Sequence, residues 1–484
     1  MTNIKINWKF SLLLSIIFFV YTFPVLTNGS YYIDDLARSV YGNTDWSNNG
    51  RPLADILFKV INFGSPIIDL SPLPLIIGLL SIVISASVFY RRIFGDDYIT
   101  ASLCFSMIIT SPFYIENLSY SFDSLTMCLS ISTALIASNF AYQNSIKMVV
   151  ISVIALVSSL CLYQASLNIY VIVILALVIG DIAKGKCIRL ILIGSALSVL
   201  SMFISVTLYS KAISKFFVTG DYNNEHSKLL TINKHFMESI IKNANGFYDF
   251  IKLLMSGANA FLYYSLVLLA LASFIFVFIF ILRADAQKTP KRIILASCFI
   301  TAFVFLIGPM VALDSPVFAP RVMLGVGGVM FLSSCIFYFS KAPIIITRSY
   351  LSIFLFFSIV FSYGAFNAIS SQYKFEQRLI ERISIDSDIK ELYGKFDSIK
   401  FVGVEPFSET NGLIVSKYPL MSILIPRHIN NGWIWSWYLM KHNHFTENIS
   451  LSDSQPVLIG DWVIKENPVY KLGLSERVLV VMFK

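Results

Sequence analysis

Charged residues are scarce in this chain of 484 residues: lysine, arginine, aspartate and glutamate together make up 14%, whereas 56% of the residues are hydrophobic. Soluble domains carry about 25% charged residues, and apolar runs of roughly 18 residues or more recur along this chain. The shortage of charge therefore excludes an ordinary soluble protein and predicts an all-α polytopic membrane protein. The net charge of +8 is consequently assigned to loops at the membrane surface, and no nucleic-acid partner is predicted.

The sequence also lacks the residue spacings of several well-defined sites. Its six cysteines are scattered mostly within apolar runs and form no Cys-x-x-Cys pair, so they predict neither a disulfide framework nor a metal site. The histidines show no His-x-x-x-His or His-Glu-x-x-His spacing. Glycine-rich phosphate loops of the Walker and Rossmann types are missing as well. These absences argue against a nucleotide-hydrolysing pump, and the residues alone predict no cofactor.

Apolar runs predict about eleven membrane spans. Their approximate limits are 9–27, 72–90, 98–113, 119–139, 147–163, 167–182, 188–209, 259–282, 293–311, 322–340 and 349–368. If the N-terminus is cytoplasmic, every short basic turn falls on the same side of the membrane, as the positive-inside rule requires. These turns hold Arg91 and Arg92, Lys147, Lys184, Lys186 and Arg189, Arg283, Lys288, Lys291 and Arg292, and Lys341 and Arg348. The C-terminus is then expected outside.

Two regions follow from this topology. Residues 1–368 form a predicted transmembrane domain, whose outer loop 28–71 is rich in polar residues. Residues 369–484 mix acids and bases and contain apolar stretches such as Ile399–Val404 and Arg477–Phe483, separated by proline and glycine turns. We therefore expect a small folded α+β domain on the outer face of the membrane.

Two adjacent acids, Asp34 and Asp35, lie just after the first span. Acids near a bilayer surface are unfavourable unless they have a partner or a task. A functional interpretation is a general base, since a well-placed carboxylate accepts a hydroxyl proton. The alternative is an acid at the N-terminus of a short interfacial helix, Asp34–Tyr41, where the helix dipole favours negative charge.

The rest of this loop offers a cation and several aromatic side chains. Arg51, in the segment Asn-Gly-Arg-Pro-Leu, either contacts a phosphate, which suits a guanidinium, or braces the loop by pairing with Asp45 or Asp55. The aromatic residues of the loop could stack on sugar rings, although most of them are expected to lie at the membrane interface. These aromatic residues are Tyr31, Tyr32, Tyr41 and Trp46.

Further polar residues occur at the outer ends of other spans. Glu116 lies in the second outer loop, and Asp123 lies about one turn inside an otherwise apolar span, where simple solvation explains it poorly. Gln164 and Arg321 complete the set. Loop solvation is the alternative for each residue alone, but their placement on one side predicts a common site.

This layout resembles the GT-C glycosyltransferases, in which a first span is followed by an outer acidic loop, many further spans and an outer C-terminal domain. Residues 31–35 (Tyr-Tyr-Ile-Asp-Asp), followed by Asp45-Trp46 and by Gly-Arg-Pro-Leu at 50–53, look like the opening of the type II Gtr family of serotype-converting O-antigen glucosyltransferases. The resemblance in motif covers roughly the first 60 residues. Beyond them it rests on length and topology.

The resemblance implies a glucosyl donor carried on polyprenyl phosphate, an acceptor sugar in lipid-linked O-antigen, and a site on the periplasmic face of the bacterial inner membrane. A polyprenyl-phosphate glucose synthase and a flippase would supply the donor. In the wider class the acid just after the first span acts as the base, and some members bind a divalent metal, which the residues here neither support nor exclude. Both Asp34 and Asp35 remain candidates for that acid.

The resulting hypothesis is an inverting transfer in which Asp34 or Asp35 deprotonates the acceptor hydroxyl. Arg51 and Arg321 would neutralise the departing lipid phosphate, while Glu116, Asp123 and Gln164 would bind substrate hydroxyls or assist the base. The alternative is a transporter or flippase for a lipid-linked sugar or polar solute. Such a protein should carry charges near the middle of the membrane and inverted repeats, whereas the polar residues here collect at one face.

Overall fold

Helices make up most of the chain in the computed structural model, which describes residues 7–231, 233–259, 275, 289–340, 342–392, 394–430, 434–443, 450–452 and 462–484. The helices are α1 (Trp8–Asn28), α2 (Asp35–Tyr41), α3 (Pro52–Ile61), α4 (Leu73–Phe94), α5 (Tyr98–Ser106), α6 (Tyr114–Ser119), α7 (Asp123–Ala141), α8 (Ile146–Leu162), α9 (Leu167–Ala183), α10 (Ile188–Leu208), α11 (Lys215–Phe217), α12 (Asp221–Ser227), α13 (Phe236–Met255), α14 (Thr289–Ile307), α15 (Leu324–Phe339), α16 (Ile344–Ile389), α17 (Glu409–Lys417), α18 (Met421–Leu424) and α19 (Ile434–His442).

Seven of the described helices are long and apolar enough to cross a membrane: α1, α4, α7, α9, α10, α14 and α16. The apolar helices α8 and α15 are shorter, with 17 and 16 residues, and α5 has only nine. Each predicted span overlaps one of these helices except 259–282, of which only Asn259 and Ile275 are among the described residues. A mostly helical, multi-pass membrane protein is therefore confirmed, whereas the count of about eleven spans stays a prediction.

Local stop signals shape the loop that follows α1. Gly29 ends α1 and Gly42 ends α2, both in the left-handed conformation, with φ of 54° and 62°, which glycine adopts without a steric penalty. Pro52 begins α3, where its missing N–H is not needed. The expected short helix is present as α2, but it begins at Asp35, and the side chain of Asp34 makes no capping hydrogen bond.

A small mixed sheet forms near the C-terminus, as the apolar stretches predict. Its strands are β1 (Ser398–Val402), β2 (Ser450–Leu451), β3 (Val463–Glu466), β4 (Tyr470–Ser475) and β5 (Val478–Phe483), in the spatial order β2-β1-β5-β4-β3. The β4–β5 pair is an antiparallel hairpin, and β1 runs parallel to β5 with Ser398 opposite Val478. The two stretches singled out in the sequence thus become neighbouring strands.

The helix α16 joins the membrane helices to this sheet. It is continuous over 46 residues, about 69 Å at roughly 1.5 Å per residue, and the division proposed after residue 368 lies within it. The distal part of α16, through Ile380 and Ile383, shares a hydrophobic core with Ile399 and Tyr470 of the sheet and with Leu36 of α2. The acidic loop is therefore built into the core of the C-terminal region.

Candidate functional site

Asp35 is fully buried and holds two segments of the chain together. Its Oδ2 accepts hydrogen bonds from the backbone N–H of Tyr32 (3.1 Å) and of Ser121 (2.7 Å), and its Oδ1 accepts one from Phe122 (3.2 Å). Burial raises the pKa of the Asp35 carboxyl to about 8, although the hydrogen bond from Ser121 opposes that shift. This carboxyl fastens the acidic loop to the beginning of α7.

Asp34 differs from its neighbour because its side chain is exposed. The indole N–H of Trp435, in α19, donates to Asp34 Oδ1 at 3.3 Å. The charge of Asp34 also acts on Arg38, Tyr120 and Arg321, and it raises the pKa of each of these groups. Of the two adjacent acids, Asp34 is therefore the one that a substrate can reach.

Asp123 lies at the centre of a buried cationic cluster. Its Oδ2 is 2.8 Å from Arg38 Nη1, and its Oδ1 is 3.5 Å from Arg51 Nη1. The indole N–H of Trp46 donates to Asp123 Oδ1 at 2.6 Å, and the Arg38 guanidinium lies 4.3 Å from the centre of the Trp46 ring. A buried carboxylate with two guanidinium neighbours and an indole donor is well compensated.

Arg51 contacts the short 3₁₀ helix Gln164–Ser166 that precedes α9. Its Nε donates to Gln164 Oε1 at 3.4 Å, and its guanidinium lies 4.6 Å from the centre of the Tyr163 ring. The amide of Gln164 in turn donates to the carbonyl of Asn49 (2.9 Å) and to the hydroxyl of Tyr209 (2.7 Å). Gln164 therefore holds the turn that carries Arg51.

Asp45 and Asp55, the two acids that were candidate partners of Arg51, bond to other groups of the same loop. Asp55 accepts the backbone N–H of Trp46 at 3.0 Å and that of Ser47 at 2.8 Å, and Asp45 accepts a hydrogen bond from Asn43. The expected brace from Arg51 to Asp45 or Asp55 is replaced by its contacts with Asp123 and Gln164, because Asp55 is used to close the loop backbone.

Glu116 and Arg321 form a second charged pair. Arg321 approaches Glu116 twice, through its backbone N–H at 2.8 Å from Oε2 and through Nη1 at 2.5 Å from Oε1. The carbonyl of Arg321 accepts hydrogen bonds from the hydroxyl of Tyr163 (2.9 Å) and the amide of Asn117 (3.2 Å). Tyr163 thus lies between Arg51 and Arg321, and the Arg321 side chain remains 25% exposed.

Aromatic residues of the loop are mostly packed inside the protein. Trp46 and Tyr32 are fully buried, and Tyr31 donates its hydroxyl to Asp69 at 2.8 Å. Only Tyr41 among the four is exposed, at 51%. The expectation that most of these rings lie at the membrane interface is therefore wrong for Trp46 and Tyr32, whose polar atoms bond to buried groups.

Sequence reasoning missed Arg38, the ion-pair partner of Asp123, and the buried pair His428 and Glu376 described below. Arg38 lies one helical turn after Asp34, and that spacing was the available signal. Among the described residues, no group of three or more histidine, cysteine, aspartate or glutamate side chains is arranged to hold a metal ion.

Helices apolar enough to cross a membrane carry a charged site at one end, and comparison with known proteins identifies the class of protein. Residues 23–332 match the family described as glucosyl transferase GtrII. The chain belongs to this glucosyltransferase family, and all seven site residues predicted from the sequence fall within the matched range.

A relative from Salmonella phage P22 is similar along nearly the whole chain. It is described as an uncharacterized 55.3 kDa protein in the gtrB 5' region, and it is 43% identical over 465 residues, which cover 96% of each chain. The similarity therefore includes the C-terminal region that the family match leaves out. No solved structure matches this chain.

Proposed function

We propose that the protein transfers a glucosyl group from polyprenyl-phosphate glucose to a sugar of lipid-linked O-antigen, with Asp34 as the base. Membership of the glucosyltransferase family supports glucosyl transfer in O-antigen modification. The observation that carries the assignment of the base is the contrast between the two adjacent acids. Asp35 is buried and fully used in holding the backbone, whereas Asp34 is exposed and its charge acts on Arg321.

The chemical step is a single displacement. Asp34 takes the proton of an acceptor hydroxyl while the hydroxyl oxygen forms a bond to the anomeric carbon of the donor. The bond between that carbon and the phosphate oxygen breaks, and the electron pair leaves with the polyprenyl phosphate. One displacement inverts the anomeric centre, so a β-linked donor gives an α-linked product.

The departing lipid phosphate needs positive charge, and two guanidinium groups flank Tyr163. Burial lowers the pKa of Arg321, but the negative charges of Glu116 and Asp34 act in the opposite direction, and the pKa lies well above the ordinary value, so this group stays charged. Arg321 and Arg51 are both partly exposed, at 25% and 18% of the side chain. We assign Arg321 to the phosphate first, because its side chain is the more exposed of the two and the charge of Asp34 acts on it.

The buried acids have supporting roles in this proposal. Asp123 fixes Arg38 and Arg51, Glu116 orients Arg321, and Gln164 holds the turn that carries Arg51. Direct contacts of Glu116, Asp123 or Gln164 with substrate hydroxyls would require these groups to exchange the partners that they have here. We therefore propose that they act through the arginines.

The proposed setting is the bacterial inner membrane, with the N-terminus in the cytoplasm and the site and C-terminal region in the periplasm. The pattern of basic turns supports this orientation. Residues 1–368 would form the transmembrane transferase domain, with catalytic loop 28–71, and residues 369–484 the periplasmic domain. Membrane lipids surround the chain, and a polyprenyl-phosphate glucose synthase and a flippase are the expected upstream partners.

The test uses membranes that contain the wild-type protein, Asp34→Asn, Asp34→Glu or Arg348→Lys. Arg348 pairs with Asp97 at 2.9 Å near the beginning of α16, away from the site, and serves as the matched control. Radiolabelled polyprenyl-phosphate glucose and O-antigen acceptor are added, and label in lipopolysaccharide is counted at equal protein abundance. We expect transfer by the wild type and Arg348→Lys and none by Asp34→Asn. Transfer from a nucleotide sugar without the lipid donor would contradict the proposed donor.

A further inference from the structure

The residue before the proposed base has an unusual backbone conformation. Ile33 adopts φ of 45°, in the left-handed region that a β-branched residue rarely occupies. It is buried, with 9% of its surface exposed. Such a conformation persists only where surrounding contacts hold it, and it determines the direction in which the next residue, Asp34, leaves the loop.

The contact that holds Ile33 comes from the C-terminal region. The backbone N–H of Ile33 donates to His428 Nε2 at 3.2 Å, across 395 positions of the sequence. Since a backbone N–H can only donate, Nε2 of His428 must be the unprotonated nitrogen, and the ring proton must lie on Nδ1. His428 is fully buried, so no water takes the place of this acceptor.

Glu376 in α16 fixes that form of the ring. Its Oε2 lies 2.5 Å from His428 Nδ1, and its Oε1 accepts the backbone N–H of His428 at 3.1 Å. Burial lowers the pKa of His428 to about 4. The imidazole is therefore neutral at pH 7, as its role as an acceptor requires.

An amide, a second carboxyl and an arginine surround this pair. Gln372 donates to Glu376 Oε1 at 3.5 Å. The carboxyl of Glu405 lies beside Glu376, and burial together with the negative charge of Glu376 raises the pKa of Glu405. Burial raises the pKa of Glu376 as well, whereas the hydrogen bonds from the His428 backbone and from Gln372 favour its ionised form. Arg427 contributes a positive charge that stabilises it.

Two other contacts attach the same loop segment to the C-terminal region. The hydroxyl of Tyr32 donates to the carbonyl of Leu424 at 3.0 Å, and Leu36 is buried in the core that α16 shares with the sheet. The loop is therefore held on one side by Asp35 and the start of α7, and on the other side by the region around His428.

We propose that His428, oriented by Glu376, is a positioning residue for the transfer reaction: its Nε2 holds the backbone of Ile33 so that Asp34 points at the acceptor. This inference rests on the proposed role of Asp34 as the base. It makes the C-terminal region part of the active site, although that region lies outside the residues that match the family.

The test compares His428→Gln, whose amide oxygen can accept the N–H of Ile33, with His428→Leu, which cannot. Both are made in the full-length protein, together with Asp34→Asn and the double variant His428→Leu/Glu376→Gln. In the double variant, the Glu376 carboxylate is removed together with its partner, so that no buried charge is left unpaired. Steady-state transfer gives kcat and KM for the lipid donor. Hydrogen exchange of peptides covering residues 28–36 reports on the backbone independently of activity.

Loss of the acceptor should lower kcat of His428→Leu by about 100-fold, the effect expected for a misplaced reacting group, with little change in donor KM. The peptide that contains Ile33 should exchange hydrogen faster in His428→Leu than in the wild type. In His428→Gln, both kcat and the exchange rate should lie close to the wild-type values. The kcat of the double variant should be no lower than that of His428→Leu. A wild-type kcat in His428→Leu, or an equal decrease of kcat in His428→Gln and His428→Leu, would overturn the inference about His428. If Asp34→Asn is inactive in the same assay, the proposed base still stands. An active Asp34→Asn would instead overturn the base itself.

Discussion

The carboxylate of Asp35 accepts the backbone N–H of Ser121 at 2.7 Å, and this bond ties the loop after the first helix to the segment that begins α7. The adjacent Asp34 is exposed, and its Oδ1 accepts the indole N–H of Trp435 at the edge of the C-terminal region. Two neighbouring acids therefore do different work: one maintains the architecture, and the other is free to take part in chemistry.

Replacement of Asp35 by asparagine should destabilise the protein. The new amide would direct an N–H₂ group at a backbone N–H in a fully buried site, leaving buried donors unpaired at about 1–3 kcal/mol each. Thermal unfolding of detergent-purified protein above pH 8, where the Asp35 carboxyl is ionised, should show a clear decrease in Tm for Asp35→Asn. Asp34→Asn, at an exposed position, should retain the wild-type Tm. Equal Tm values for Asp35→Asn and the wild type would contradict a structural role for Asp35.

The ion pair between Arg38 and Asp123 should show strong coupling. Arg38→Met leaves the Asp123 carboxylate with less compensation in a site where its side chain is 4% exposed, and breaking such a pair costs about 3–5 kcal/mol. Adding Asp123→Leu removes the orphaned charge and should recover part of that loss. A double-mutant cycle of unfolding free energies checks this prediction, and simple additivity would show that the two groups do not interact.

Arg321 should matter more for transfer than for folding. Arg321→Met removes a cation from the site of the departing phosphate and should lower kcat by roughly 100- to 1,000-fold, as for other groups that stabilise charge in the transition state. Glu116→Gln keeps an oxygen that can accept the backbone N–H of Arg321 and should have a smaller effect. Steady-state kinetics with the lipid donor compare Arg321→Met with Glu116→Gln. A normal kcat in Arg321→Met would show that Arg321 does not bind the departing phosphate.

Acid should destabilise the C-terminal region through His428. Burial lowers the pKa of this histidine from 6.5 to about 4 in the folded protein, so the folded state binds its proton less readily than the unfolded state. Its contribution to stability is therefore present above pH 6.5 and is lost as the pH falls towards 4. Unfolding measured across this range should depend less on pH in His428→Gln than in the wild type. Identical slopes would show that His428 does not titrate in this window.

The sequence predicted the broad architecture because long apolar runs and basic turns are local signals. It also predicted that polar residues at the ends of several spans share one site, and in the structure Arg51 contacts both Asp123 and Gln164. The partners of these groups could not be read from the chain. Trp46 meets Asp123 across 77 positions and His428 meets Ile33 across 395, and spacing along the sequence carries no information about such pairs.

The continuous helix α16 was also beyond the reach of pattern reasoning. Its first part is apolar, like a membrane span, and its later part is mixed in polarity, so the change in composition indicated a domain boundary near residue 368. The backbone nevertheless continues as one helix, because the later turns find apolar partners in the C-terminal core. Tertiary packing of this kind routinely outweighs local composition.

Chemical rescue of an Asp34→Ala variant tests the central claim most directly. The variant would be assayed with polyprenyl-phosphate glucose and O-antigen acceptor, in the presence of sodium formate or of sodium chloride at the same ionic strength. The account predicts that Asp34→Ala is inactive in chloride and regains measurable transfer in formate, whose carboxylate can occupy the space and accept the proton. A wild-type rate for Asp34→Ala in chloride would contradict the assignment of Asp34 as the base.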